Sequence, residues 1–332
     1  MTAPLLANDP TATPPAPVDR ITVVVRRSFG DRVFHLSARA AGTLTLALMV
    51  LVFYFLLNAS KTFFKVESFS KFMTDQAWVP DEANAGVGSL LFNTILVSFL
   101  GVIMAFPFAL AAALYVSEYA PRRLRRSLTL LLDLLAAVPS IVFGIWGFFF
   151  LMPRQRHLSI WLSHELSFVP IFKVTDGQYA DSPFIVGTVL ALMIIPIAAS
   201  VMREVFSQAP PVEREGALAL GGTRWGMIRS VVLPFGRGGI IGGMMLALGR
   251  ALGETIAVTM LVSVVFTRST HILHQGSNTI SALIALDWGE ASPIARSALM
   301  AAGLVLFVIT LLVNVVASMI TSRTRSGSLT EI

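Results

Sequence analysis

The chain has 332 residues, 55% of them hydrophobic and 13% charged, with a mean hydropathy of +0.75. So apolar a composition excludes an ordinary soluble domain, and several runs reach the roughly 20 apolar residues that cross a hydrocarbon core, so the fold class is all-α and polytopic. The net charge of +6 is then a matter of which loops carry it rather than a nucleic-acid footprint, and the absence of cysteine excludes disulfides, a thiolate nucleophile and a cysteine metal site.

Residues 1–19 hold five prolines and no basic residue, lack the apolar run of a signal peptide, and read as a disordered tail. Arg20 to Arg39 is basic with Val23, Val24, Val25 and Phe34 interspersed. It suits either an interfacial helix on an anionic leaflet or a solvated leader. Residues 1–39 therefore precede a transmembrane domain over 40–322, and 323–332 form a C-terminal tail.

Six spans are expected. Span 1 covers about Ala40 to Leu57, and span 2 about Ser89 to Val116 with a kink at Pro107. Span 3 runs from Ser127 to about Leu151 with Pro139 near mid-depth, and span 4 from about Pro183 to Met202 with Pro196 inside. Span 5 extends from about Gly236 to Phe266, with seven glycines in its first eighteen residues, the small-residue content that lets helices approach closely in lipid. Span 6 covers about Pro293 to Ile320.

Alternate loops differ in basic content. With the N-terminus inside, the inner segments carry 16 Lys and Arg residues and the outer ones 8. The positive-inside rule then places both termini in the cytoplasm.

The longest polar interruption in the C-terminal half is Arg203 to Arg237, about residues 208–235 of which form a hairpin. Pro210 and Pro211 end the preceding helix. Glu213 and Glu215 then open a short helix, with acids where the dipole favours them. Ala217, Leu218 and Leu220 give that helix an apolar side, and Gly221-Gly222 stops it as glycine does where φ must be positive. A second helix is expected over Thr223 to Val232, halting before Pro234. This cytoplasmic helix–turn–helix carries Glu215-Gly216-Ala217, three residues, Gly221, nine residues, then Val231-Val232-Leu233-Pro234.

That spacing resembles the EAA signature of ABC importer permeases, with Gly216 standing for Ala and Val231 for Ile. The resemblance implies a MetI-like, type I importer permease whose hairpin docks on a separate ATPase subunit. Glu215, Ala217 and Gly221 would seat the hairpin, and Leu233 and Pro234 would set its exit into the next span.

Span 5 also contains Arg250 and, four residues on, Glu254. A charge at mid-bilayer costs at least about 2.5–3.5 kcal/mol on insertion scales, so it should face protein or water and have a partner. At i,i+4 on one helix the two would share a face. Two readings stay open: a structural ion pair, or a pathway in which the Arg250 fork holds a tetrahedral oxyanion with Glu254 orienting or opposing it. Asp133 reads as a cap or partner near the interface, and His271 with His274 lacks the companions of a metal site.

Residues 137–147, Ala-Val-Pro-Ser-Ile-Val-Phe-Gly-Ile-Trp-Gly, and 249–255, Gly-Arg-Ala-Leu-Gly-Glu-Thr, are similar to the PstC family of phosphate-importer permeases. The resemblance covers about residues 40 to 320 and implies that Arg250 and Glu254 are the intramembrane charges tied to phosphate passage. It further implies a sister permease (PstA-like), two copies of an ABC ATPase (PstB-like) and an extracytoplasmic phosphate-binding protein (PstS-like) in a bacterial inner membrane, working by alternating access.

No Gly-x-x-x-x-Gly-Lys-Ser/Thr occurs, so no cofactor is expected on this chain and ATP belongs to a partner. Nor does any catalytic set appear, and the chain reads as a transport subunit rather than an enzyme. Two alternatives remain at this stage: a permease for another oxyanion such as molybdate or sulfate, and an ion-coupled secondary carrier.

Overall fold

A computed structural model describes residues 29–82, 84–174, 177–263, 265–266 and 270–325, with side chains up to residue 320. The expectations for residues 1–28 and the chain beyond 325 lie outside the described residues. The chain divides into two compact units, residues 1–51 and 52–332. The first contributes the opening part of helix α1 (Phe29–Phe64), whose side chains through Leu51 are exposed.

In the second unit, α2 (Phe69–Thr74) is followed by two-residue strands β1 (Trp78–Val79) and β2 (Asn84–Ala85), paired antiparallel with Trp78 opposite Ala85. Then come α3 (Gly88–Leu114), closed by a π-helical turn at Tyr115–Tyr119, and α4 (Arg122–Ala136). Helix α5 (Ser140–Trp146) joins α6 (Met152–Glu165) through a second π turn at Gly147–Leu151. Helix α7 (Pro183–Ser207) precedes α8 (Pro211–Ala219) and α9 (Arg224–Met227), a third π turn at Ile228–Val232, and α10 (Leu233–Phe235). Helices α11 (Arg237–Leu252), α12 (Ile256–Thr259), α13 (Ile280–Asp287) and α14 (Pro293–Arg325) follow.

The main core lies where α3, α7 and α11 meet. Val97, Ala105 and Ala109 of α3 pack with Ile185, Ile194, Ala198 and Met202 of α7 and with Ala247 and Ala251 of α11. Small residues make the approach possible. A Cβ on Gly239 would fall 2.5 Å from Val205 Cβ, and one on Gly243 would fall 3.1 Å from the Ala198 carbonyl. Lipid tails are as apolar as these side chains, so close van der Waals packing, rather than escape from water, holds the helices together. A second cluster joins Phe63 and Phe72 to Leu90, Leu283 and Leu299. There Ser297 Oγ accepts from Phe63 N at 3.0 Å and donates to the Ala59 carbonyl at 2.7 Å, which closes the end of α1.

Among the described residues, four helices are long and apolar enough to cross a membrane: Phe29–Phe64, Gly88–Tyr119, Pro183–Ser207 and Pro293–Ile320. Two bent pairs bring the number to six if each is one span: Arg122–Ala136 with Ser140–Glu165, bent by 84°, and Arg224–Phe235 with Arg237–Leu252, bent by 66°. Several expected boundaries move.

Span 1 is longer than Ala40 to Leu57 at both ends. Span 3 is not one helix, because Pro139 and the residue it restricts, Val138, sit outside regular helix between α4 and α5. Span 5 does not reach Phe266, since α11 ends at Leu252 with Gly253 as its C-cap. Pro234 does not halt the hairpin's second helix either. It falls in the first turn of α10, directly after a π turn. Proline is tolerated in a first turn because no hydrogen bond is asked of its nitrogen there.

Candidate functional site

The hairpin folds as its residues dictate. Pro211 stands at the start of α8, where its fixed φ suits a first helical turn, and Glu213 follows in the acidic first turn. Gly221 takes φ +82°, the left-handed conformation that ends a helix. Gly222 is also required, because a Cβ there would lie 2.5 Å from the Ala217 carbonyl. Thr223 Oγ1 then accepts from Gly226 N at 3.1 Å and caps α9. Nothing lies within 4 Å of a Cβ at Gly216, so the alanine of the family pattern would fit there freely.

The hairpin's inner side is packed. Ile228 and Val232 are fully buried, Ala217 and Leu233 pack against the main core, and a Cβ on Gly236 would strike the Phe206 ring. Its outer side is exposed and partly apolar: Leu220 is 91% exposed and Val212 79%, with Leu218 and Trp225 about half exposed. Glu215, Gly221 and Pro234 are exposed as well. The sequence-predicted seating residues therefore fall on two sides, Glu215 and Gly221 outward with Pro234, Ala217 and Leu233 inward.

Arg250 and Glu254 are separated by the end of α11. The helix stops at Leu252, so the i,i+4 face that would pair them is never completed, and the ion pair that was one of the two readings does not form. Arg250 is exposed, and among the described residues its guanidinium makes no hydrogen bond or ion pair.

Glu254 is 7% exposed, and its Oε1 accepts from Ala257 N at 3.2 Å at the start of α12. That turn is held from the other side by Ser281 Oγ, which donates to the Glu254 carbonyl at 2.7 Å. Helix α12 packs on α5 so closely that a Cβ on Gly144 would meet Ala257 Cα at 2.9 Å. The two stretches that carry the family resemblance, 137–147 and 249–255, are thus joined through Gly144 and the turn Glu254 caps.

Asn314 escaped the sequence reading. A Cβ on Gly249 would lie 3.3 Å from Asn314 Oδ1, so α14 places an amide beside the residue that precedes Arg250. Asn314 is exposed, and among the described residues its side chain is without a hydrogen-bond partner. An asparagine inside the run Leu-Leu-Val-Asn-Val-Val is the signal that could have found it, because polar groups at membrane depth are rare and seek partners.

The other polar candidates resolve as ordinary pairings. Asp133 Oδ1 accepts from Ser200 Oγ at 3.3 Å, tying α4 to α7, and His271 Nδ1 lies 2.9 Å from the Pro170 carbonyl. A pocket of about 340 Å³ is lined by Trp78, Asp81, Asp287, Glu290 and Ser292 among others. Burial raises the Asp287 carboxyl, opposed by the hydrogen bond from Trp78 Nε1 at 3.2 Å, and the Glu290 charge raises it further. So acidic a lining repels an oxyanion.

Residues 98–326 match the family described as the binding-protein-dependent transport system inner membrane component. The chain is 39% identical over 303 residues to the phosphate transport system permease protein PstC 2 of Mycobacterium tuberculosis, covering 90% of this chain and 94% of that protein. It is 37% identical over 316 residues to the phosphate transport system permease protein PstC of Mesorhizobium japonicum, covering 92% and 94%.

Among solved structures, a crystal structure of a bacterial ABC transporter involved in the import of the acidic polysaccharide alginate aligns with a TM-score of 0.50 and 17% identity, over 90% of this chain and all of that one. At that identity the likeness speaks for the fold alone. The family match over residues 98–326 and the relatives at 37–39% identity over about nine-tenths of the chain show it: the protein belongs to the binding-protein-dependent transport system inner membrane component family and is a multi-pass inner-membrane transport subunit.

Proposed function

We propose that this chain is the permease subunit of an ATP-driven importer of inorganic phosphate, forming half of the translocation pathway with a sister permease. Both termini and the hairpin lie in the cytoplasm, where basic loop residues predominate. ATP is bound and hydrolysed by a separate pair of ATPase subunits that dock on the exposed apolar face of Leu218, Leu220 and Trp225 beside Glu215 and Gly221. An extracytoplasmic phosphate-binding protein delivers the substrate, and this chain carries no cofactor.

The observation that carries the reading is the free guanidinium of Arg250. A lipid-facing arginine at that depth is costly, and no carboxylate among the described residues pairs with it. Its remaining neighbours are the pathway and the sister subunit. A guanidinium offers paired N–H donors in a plane that matches two oxygens of a phosphate, and the Asn314 amide stands beside Gly249 at the adjacent position. Glu254 acts one step removed, fixing the turn that lets α11 end where Arg250 is presented. The names borne by the relatives at 37–39% identity favour phosphate over molybdate or sulfate.

The test is labelled phosphate uptake at low concentration in cells lacking their own importer, with the sister permease, ATPase and binding protein supplied. Arg250→Gln is expected to assemble at wild-type levels and to lose uptake by at least about tenfold, the scale on which removing one member of a desolvated charge contact acts. Wild-type transport by Arg250→Gln would refute the anion site. Uptake of sulfate or molybdate in place of phosphate by the wild type would overturn the substrate assignment alone.

A further inference from the structure

The hairpin is fastened to the membrane helices by a charge one residue outside its sequence signature. Arg214 lies in α8, and its Nη2 is 3.2 Å from Glu118 Oε1 while Nη1 donates to Oε2 at 3.4 Å. The same Nη2 also donates to the Phe206 carbonyl. Glu118 has a side chain only 4% exposed and sits in the π turn that closes α3, and Phe206 is fully buried in the last turn of α7. One guanidinium therefore ties the hairpin to the cytoplasmic ends of two membrane helices.

Its neighbours reinforce that end of α3. Arg125 Nη2 donates to the Ser117 carbonyl at 2.7 Å, and the Arg224 guanidinium of α9 lies 5.5 Å from the Tyr119 ring centre.

The covalent connections of the hairpin lead to α7 through residues 208–210 and to α11 through α10, and neither reaches α3. Yet α3 packs along α7 through Gly101 and Gly187 and carries a large part of the main core. A push on the outer face of the hairpin reaches α3 directly, rather than by way of α7, through contacts such as Arg214–Glu118. A buried ion pair is weak evidence for stability, because desolvation offsets much of its attraction, and its better-attested use is to fix one register. A π turn placed at the receiving end has the same sense, since such widened turns recur at functional positions within helices.

We propose that Arg214 and Glu118 form the linkage that transmits displacement of the ATPase-docking hairpin into α3, and that both are positioning residues for transport. The inference rests on the reading of the hairpin as an ATPase dock. It takes no part in substrate contact.

The test reconstitutes the full transporter in liposomes and reads phosphate moved per ATP hydrolysed, together with ATPase co-purification. For Arg214→Ala the ratio is expected to fall at least about tenfold and for Glu118→Gln about threefold, with the ATPase still bound and hydrolysing, as for loss of a coupling contact rather than of a site. Arg214→Lys, which keeps the charge but loses the planar fork that reaches both Glu118 oxygens and the Phe206 carbonyl, is expected to fall between Arg214→Ala and wild type.

A merely structural pair would lower yield and leave the ratio alone. Wild-type ratios in both Arg214→Ala and Glu118→Gln therefore overturn the proposal. Should Arg214→Ala fail to assemble, Glu118→Gln decides on the same criterion. If the wild type hydrolyses ATP without moving phosphate, the transport reading fails instead. The linkage is then judged by whether Arg214→Ala loses the stimulation of ATP hydrolysis by the binding protein, and retained stimulation overturns it.

Discussion

Helix α7 and the stretch from α11 to α12 are both expected from sequence to be spans, and the structure treats them in opposite ways. Helix α7 contains Pro196, the residue most hostile to a helix interior, and still runs unbroken from Pro183 to Ser207. The fifth span contains no proline after Pro234 and breaks at Gly253.

The surroundings explain the contrast. In the core the neighbours of α7 are apolar, Val97, Ala105 and Ala109 of α3 with Ala247 and Ala251 of α11, so only a continuous helix keeps its backbone groups paired there. Around the break the neighbours are polar. Ser281 Oγ donates to the Glu254 carbonyl, Glu254 Oε1 accepts from Ala257 N, and Ile280 N donates to Thr94 Oγ1 at 3.1 Å. Irregular backbone is tolerated at membrane depth where protein encloses it and supplies partners. A proline is thus a weaker guide to a broken span than a set of side chains able to receive the freed groups.

Substitutions at three positions sharpen or break this comparison, each read as thermal unfolding of the detergent-solubilised chain. The largest effect belongs to the packed side. Gly239→Ala forces a Cβ to within 2.5 Å of Val205 Cβ and is expected to destabilise by about 3 kcal/mol through overpacking. A wild-type melting temperature would mean that α7 and α11 have slack the structure does not show.

Next is Glu254→Ala, which orphans Ala257 N and should cost about 2 kcal/mol, while Glu254→Gln keeps the accepting oxygen and should melt near wild type. If Glu254→Gln melts normally but abolishes transport, the carboxylate charge itself serves the pathway, and a purely capping role is wrong. The smallest is Thr94→Val, which removes the acceptor for Ile280 N at nearly constant shape and should cost about 1 kcal/mol. No change there would show that the irregular segment does not depend on its polar supports.

The site was legible in unequal parts. Gly221, Pro211 and Glu213 act through local backbone chemistry, so their roles could be read from spacing, and φ +82° at Gly221 agrees. Arg214 sits beside Glu215 in the sequence yet stayed invisible, because its partner Glu118 lies 96 residues away and only the fold brings them together. Asn314 was overlooked for the same reason, since its neighbour Gly249 belongs to another helix. Arg250 was found, but the shared face with Glu254 was expected from a helical period that ends two residues after it.

Composition and periodicity by themselves determined that this chain is helical and membrane-embedded, where its hairpin lies, and which mid-span charge demands an explanation. Those properties follow from transfer free energies and from local turn chemistry, which a short window of sequence contains. Which helices bend, that Arg250 stands free while Glu254 caps a turn, and which arginine ties the hairpin to α3 were decided by tertiary structure. Each depends on whether a polar partner or a close-packed neighbour arrives from a distant part of the chain, and no local window records that arrival.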